Sequence, residues 1–159
     1  MRLNHTRYVH LLFHHFAQRG DRCIDLTLGN GHDMRALLEQ IGPEGELVGI
    51  DIATSVVAHC KQICETEYPN YRYRLLSRSH SELSDIEGPF QIAVYNLGYL
   101  PGSDKAQTTH PESTIASVLA VLPKMSDGGI VILTVYRGHD ADVEWTALQS
   151  ALASLQGVY

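Results

Sequence analysis

The segment Arg22-Cys-Ile-Asp25-Leu-Thr27-Leu-Gly29-Asn30-Gly31-His32-Asp33 decides the fold. A short apolar run containing one acid stops at two glycines spaced two apart. A helix-like pattern, Asp33 to Ile41, begins at once and closes at Gly42-Pro43. Such a turn lets the backbone fold tightly and lets a ligand approach helix N–H groups. If it opens a βαβ unit, a second strand should follow and end in an acid about twenty residues on, placed to hold ribose hydroxyls. Leu47-Val-Gly-Ile-Asp51-Ile52 meets that requirement.

The same alternation runs through the chain. Helical periodicity is expected over Thr6–Gln18, Ser55–Tyr68, Pro111–Leu122 and Asp140–Leu155. Strands are expected at Arg22–Thr27, Leu47–Ile52, Tyr71–Leu76, Phe90–Tyr95 and Gly129–Tyr136. Strands alternating with helices at this spacing predict an α/β fold, a Rossmann-like doubly wound parallel sheet. At 159 residues, with no linker or repeat, residues 1–159 read as a single domain.

Composition narrows the classes. No stretch is long and apolar enough to span a membrane, and residues 1–20 are too polar for a signal peptide. Three cysteines (Cys23, Cys60, Cys64) without metal spacing read as reduced thiols of a cytoplasmic protein. Net charge is −6, unlike a protein that grips nucleic acid over its whole surface. Six of the twelve Lys and Arg nevertheless fall in two acid-free segments, residues 1–20 and 71–80. If these share a face they form a phosphate-binding patch; otherwise they are ordinary solvated surface. His10 and His14 lie one helical turn apart, but nothing in that segment completes a metal site, so no metal is expected and the histidines read as surface.

The glycine turn also discriminates between nucleotides. A dinucleotide fingerprint wants a third small residue near position 34, where Met34 stands. Asp25 would repel a pyrophosphate but would welcome a ligand carrying an amine and a sulfonium. That favours S-adenosylmethionine (SAM) over NAD. The fourth strand runs into Ala93-Val-Tyr-Asn96-Leu97-Gly98-Tyr99-Leu-Pro101-Gly102-Ser-Asp104-Lys105. Asn96-Leu97-Gly98-Tyr99 resembles the Asp/Asn-Pro-Pro-Tyr motif of amine-directed methyltransferases. There a side-chain oxygen orients an amine lone pair and a ring stacks a base or faces a cation.

"DLTLGNGHD", "GIDI", Ser79-His80, "NLGYLPGSDK", "TTHPEST" and "VYRGH" together resemble an rRNA-methylase family, from about residue 10 to about residue 150. Some of its members methylate the 5-aminomethyl group of the tRNA wobble 2-thiouridine. The resemblance implies a class I methyltransferase fold with SAM as cofactor and tRNA or another RNA as substrate. Carried over, Thr27, Gly29, Asn30 and Gly31 cradle the methionine part, with Asp25 or Asp33 near its amine. Asp51 and Ile52 hold the ribose end, Ser79 and His80 flank the adenine, and Asn96 closes the pocket toward the methyl group. Tyr99, Asp104, Lys105, Thr108, Thr109 and His139 shape the substrate side. Asp104, Tyr136 and His139 stand as proton acceptors, and the catalytic set reads Asn96, Tyr99, Asp104 and His139.

Two departures accompany the resemblance. Ala53 stands where the family has Gln after "DI", so one adenosine contact is lost or supplied elsewhere. The chain also stops after its fifth strand and following helix, where seven-stranded methyltransferases add two strands. The expectation is a sheet lacking its last two strands, through truncation, or covered at that edge by Gly157-Val-Tyr or in a homodimer. Alternative readings are methylation of rRNA or a small-molecule amine, an NAD(P)-dependent oxidoreductase, and a non-catalytic SAM-binding module.

Overall fold

A computed structural model describes residues 5–97, 111–135 and 141–154. The chain order is α1 (His5–Phe16), β1 (Arg22–Asp25), α2 (His32–Ile41), β2 (Glu46–Asp51), α3 (Thr54–Glu67), β3 (Arg72–Ser77) and β4 (Phe90–Leu97). It continues with α4 (Pro111–Val121), a short 3-10 turn, β5 (Met125–Val135) and α5 (Ala141–Ala153). The five strands form one parallel sheet in the order β3-β2-β1-β4-β5. The alternation expected from sequence is therefore the architecture found.

Successive strand residues face opposite sides, and both sides are covered. Cys23, Leu47, Ile92 and Val94 point to one core, closed by Val9 and Phe13 of α1, Met34 and Leu37 of α2, and Cys60 and Ile63 of α3. Ile24, Val48, Ala93 and Tyr95 point to the other, closed by Val118 of α4 and Leu148 of α5. Burial on both faces is why these strands read as continuous apolar runs rather than alternating ones. Gly49 is demanded by packing, since any Cβ there would collide with Leu28 and Leu75 from the flanking segments.

Strand boundaries differ from expectation by a residue or two at most ends, and by more at the start of β5. β1 ends at Asp25 because the chain turns there, although Leu26 N–H still donates to the Val94 carbonyl. β5 begins at Met125 instead of Gly129. Its pairing with β4 is irregular between Phe90 and Ile92, where Asp127 and Gly128 (φ 75°) are accommodated.

The two acid-free segments do not converge. α1 packs over α2, β4 and β5, whereas β3 is the opposite edge strand. Arg74 and Arg78 both pair with Asp85, and the Arg72 guanidinium donates to the Glu44 and Gly45 carbonyls. The 71–80 segment is thus held by local partners.

Candidate active site

The strand order reverses between β1 and β4, and the crevice at the carboxyl ends of the strands there is the expected ligand site. The turn after β1 forms its floor. Gly29 (φ 49°) and Gly31 (φ 75°) are both left-handed, a conformation that other residues adopt only with strain. A Cβ on Gly29 would meet only the Thr27 carbonyl oxygen, at 3.8 Å, whereas a Cβ on Gly31 would press on Met34 and Cys60. One glycine leaves room for a ligand, and the other lets α2 pack closely on α3.

Three carboxylates surround this turn. Asp25 has no exposed surface. Its Oδ1 accepts the Thr27 N–H at 3.1 Å, while its Oδ2 has no hydrogen-bond partner among the described residues. Burial first, and then Asp33, push its pKa up to about 8, against the pull of the Thr27 and Met34 N–H groups. A buried carboxyl with an orphan oxygen suits a ligand cation. Asp33, in the first turn of α2, is nearly buried and accepts a hydrogen bond from His10 Nε2–H of α1 at 2.9 Å. Asp51 ends β2 half-buried, its Oδ2 accepting the Gly29 N–H and its Oδ1 the Ala53 N–H. One carboxylate thus fixes both turns and keeps lone pairs for ligand hydroxyls.

Beyond Asp51, Ile52 is 64% exposed, an apolar side chain held out at the crevice. The Arg78 N–H donates to the Asp51 carbonyl, bringing the segment after β3 alongside. There the Ser79 and Ser81 hydroxyls share a hydrogen bond at 2.8 Å. The His80 ring packs edge-on against Tyr95, 6.0 Å between centroids. Desolvation lowers the His80 pKa, so the ring is neutral at pH 7, and its buried Nδ1 has no partner among the described residues. At the end of β4, the Asn96 N–H donates to Thr27 Oγ1 at 2.7 Å.

Asp25, Thr27, Gly29, Asn30, Gly31, Asp33, Asp51, Ile52, Ser79, His80 and Asn96 therefore gather at one end of the sheet. Tyr99, Asp104, Lys105, Thr108, Thr109, Tyr136 and His139 lie outside the described residues. Sequence reasoning missed His10, which it placed on the surface. The available signal was its place beside Val9 and Phe13, at the flank of the apolar stripe. Among the described residues no cluster of His, Cys, Asp and Glu is arranged for a metal, and no helix is long and apolar enough to cross a membrane.

This sheet, with its glycine turn and strand-end acids, defines the Rossmann-like fold of class I methyltransferases. Residues 47–158 match the family described as "Putative rRNA methylase", and the chain belongs to that family. It is 27% identical over 160 residues to "tRNA (mnm(5)s(2)U34)-methyltransferase, chloroplastic" of Arabidopsis thaliana, covering 94% of this chain and 58% of that protein. The chain thus spans less than two thirds of that curated relative. Its fold is similar to that of a "putative rRNA-methylase" from Clostridium thermocellum, with a TM-score of 0.85 and 28% identity, covering 100% of this chain and 85% of the other. It is also similar to a "putative methyltransferase" from Streptococcus mutans in complex with SAH, with a TM-score of 0.84 and 22% identity, covering 98% and 84%.

Proposed function

We propose that this chain is a SAM-dependent N-methyltransferase whose substrate is RNA, and specifically the 5-aminomethyl group of the tRNA wobble 2-thiouridine. The observation that carries the donor assignment is Asp25, a fully buried carboxyl with an unpartnered oxygen beneath a left-handed glycine turn. Family membership and the likeness to the Arabidopsis tRNA enzyme support the substrate.

In this reading Asp25 and Asp33 receive the donor's ammonium, and the open backbone at Gly29 lies along its methionine part. Asp51 accepts from the ribose hydroxyls. Ile52 offers an apolar face to the adenine, and the neutral His80 and Ser79 take its polar edge. The bound donor supplies an electrophilic methyl group with its own driving force, so the protein's contribution is alignment in a water-poor site. Asn96, at the strand end, accepts a hydrogen bond from the substrate amine and orients its lone pair. The amine must be held neutral, because only the free base attacks. As the N–CH₃ bond forms and the S–CH₃ bond breaks it becomes a secondary ammonium, which then releases one proton and keeps one N–H. Asp104, Tyr136 and His139 are the acceptors proposed for that proton. A wobble base must leave its stack to enter such a crevice. The three thiols are free and buried, in keeping with a reducing, cytoplasmic setting.

The test is a nucleoside assay by mass spectrometry with purified protein, SAM and tRNA bearing the unmethylated aminomethyl-thiouridine. Gain of one methyl group on that nucleoside, lost in Asn96→Ala, is the expected result. Donor binding without methylation would exclude this substrate. Absence of donor binding would exclude the methyltransferase reading.

A further inference from the structure

We propose that His10 is a positioning residue of the donor site, holding the Asp33 carboxylate beside Asp25 so that both acids receive one ligand ammonium. The proposal rests on the donor-binding reading above. Helix α1 belongs to no strand-to-helix turn of the crevice, and its buried Val9 and Phe13 pack into the core beneath it. His10 nevertheless turns inward. Its side chain is only 32% exposed, and its ring stacks on Phe13 at 5.4 Å and 27°. Its Nε2–H donates at 2.9 Å to a carboxylate that is 8% exposed.

That bond crosses from α1 to the first turn of α2, 23 residues away, at the level of the glycine turn. Lower down, His14 and Gln40 share a 3.0 Å hydrogen bond and Gln40 donates to the Ala17 carbonyl, so α1 is clipped along the length of α2. Two carboxylates in a dry site repel each other and would swing apart or take up protons. By occupying one Asp33 oxygen, His10 fixes that side chain while Asp25 keeps its Oδ2 unpartnered. By reciprocity, ligand binding must then tighten the docking of α1.

The test is calorimetric titration of S-adenosylhomocysteine (SAH) into the full chain, with the melting temperature of each ligand-free variant recorded. His10→Ala is expected to weaken binding about tenfold, the size of one hydrogen bond to a charged group. His10→Gln, whose amide can still donate to Asp33, should recover to within about threefold of wild type. His10→Leu fills space without donating and should stay weak. In an Asp33→Ala background, His10→Ala should add almost nothing. Wild-type affinity in His10→Ala, full recovery in His10→Leu, or additive losses with Asp33→Ala would each overturn the positioning role while leaving donor binding intact. If His10→Ala fails to fold, the Gln-against-Leu comparison decides. Absence of SAH binding by the wild type would remove the donor reading and this proposal with it.

Discussion

The backbone N–H of Asn96 donates to the side-chain oxygen of Thr27 at 2.7 Å, tying the end of β4 to the glycine turn that follows β1. The two segments that define the crevice are therefore one mechanical unit. Thr27→Val keeps the volume but removes the acceptor, leaving a half-buried N–H without its partner. Stability should fall by about 1 kcal/mol, and methyl transfer more steeply than SAH affinity, because Asn96 is released from its position. Thr27→Ser should restore both. Thermal melts and single-turnover rates check this; a valine variant with wild-type turnover would show that the tie positions nothing.

Asp25 predicts a pH dependence with a definite sign. Its folded pKa lies near 8, well above the 3.8 of a free aspartate. Between those values the folded protein holds a proton that the unfolded chain has lost. Stability of the ligand-free protein therefore falls as pH rises through this window, by about 1.4 kcal/mol per unit from this one group. Asp25→Asn should flatten the stability profile from pH 5 to 8 relative to wild type, and should be the more stable of the two at pH 8. Chemical denaturation at several pH values measures both.

Occupation by a cation should reverse that preference and ionise Asp25. Wild-type binding of SAH at pH 7 is then expected to release close to one proton, read as a dependence of calorimetric heat on buffer ionisation enthalpy. Asp25→Asn should bind at least about tenfold more weakly and release none. Proton release that is equal in the two proteins would assign the titration to another group.

Tyr95 gives a prediction about the second core. The Ser117 hydroxyl donates to the His80 carbonyl at 2.6 Å, so the Tyr95 hydroxyl, 2.8 Å away, donates to Ser117. Tyr95→Phe removes that donor without opening a large cavity and should lower stability by about 1 kcal/mol. Ser117→Ala leaves both the Tyr95 hydroxyl and the His80 carbonyl without Ser117 and should cost more, about 2 kcal/mol. Equal losses in the two variants would argue against a relay toward His80.

The cysteines should be chemically silent in the native state. Burial raises Cys23 and Cys60 to about 12 and Cys64 to about 11, so thiolate is scarce at pH 8. A disulfide reagent should react with none of the three until denaturant is added, and then with all of them. Rapid modification of one thiol in native protein would reveal local opening of α3 or β1.

Much of the crevice was legible in the sequence because its signals are local. Gly29 and Gly31 are two apart, Asp51 follows at the spacing a βαβ unit dictates, and Asn96 closes an apolar strand. What escaped depends on contacts between distant elements. His10 and Asp33 are 23 residues apart, and only the seating of α1 against α2 makes them partners. Arg72, Arg74 and Arg78 look like a basic patch when counted along the chain. Asp85 and three backbone carbonyls, brought in by the fold, hold them instead. The start of β5 was misjudged because Asp127-Gly128 looks like a turn, yet the sheet absorbs it as an irregularity.

Asp51 holds the Gly29 and Ala53 amides with its two oxygens, and Asp25 holds that of Thr27. The turns after β1 and β2 are thus ordered by the protein's own hydrogen bonds before any ligand arrives. A ligand entering there loses its own freedom but imposes little ordering on these two turns. Association should therefore follow a single concentration-dependent phase rather than wait on a slow rearrangement, and affinity differences among ligands should appear in how fast they leave.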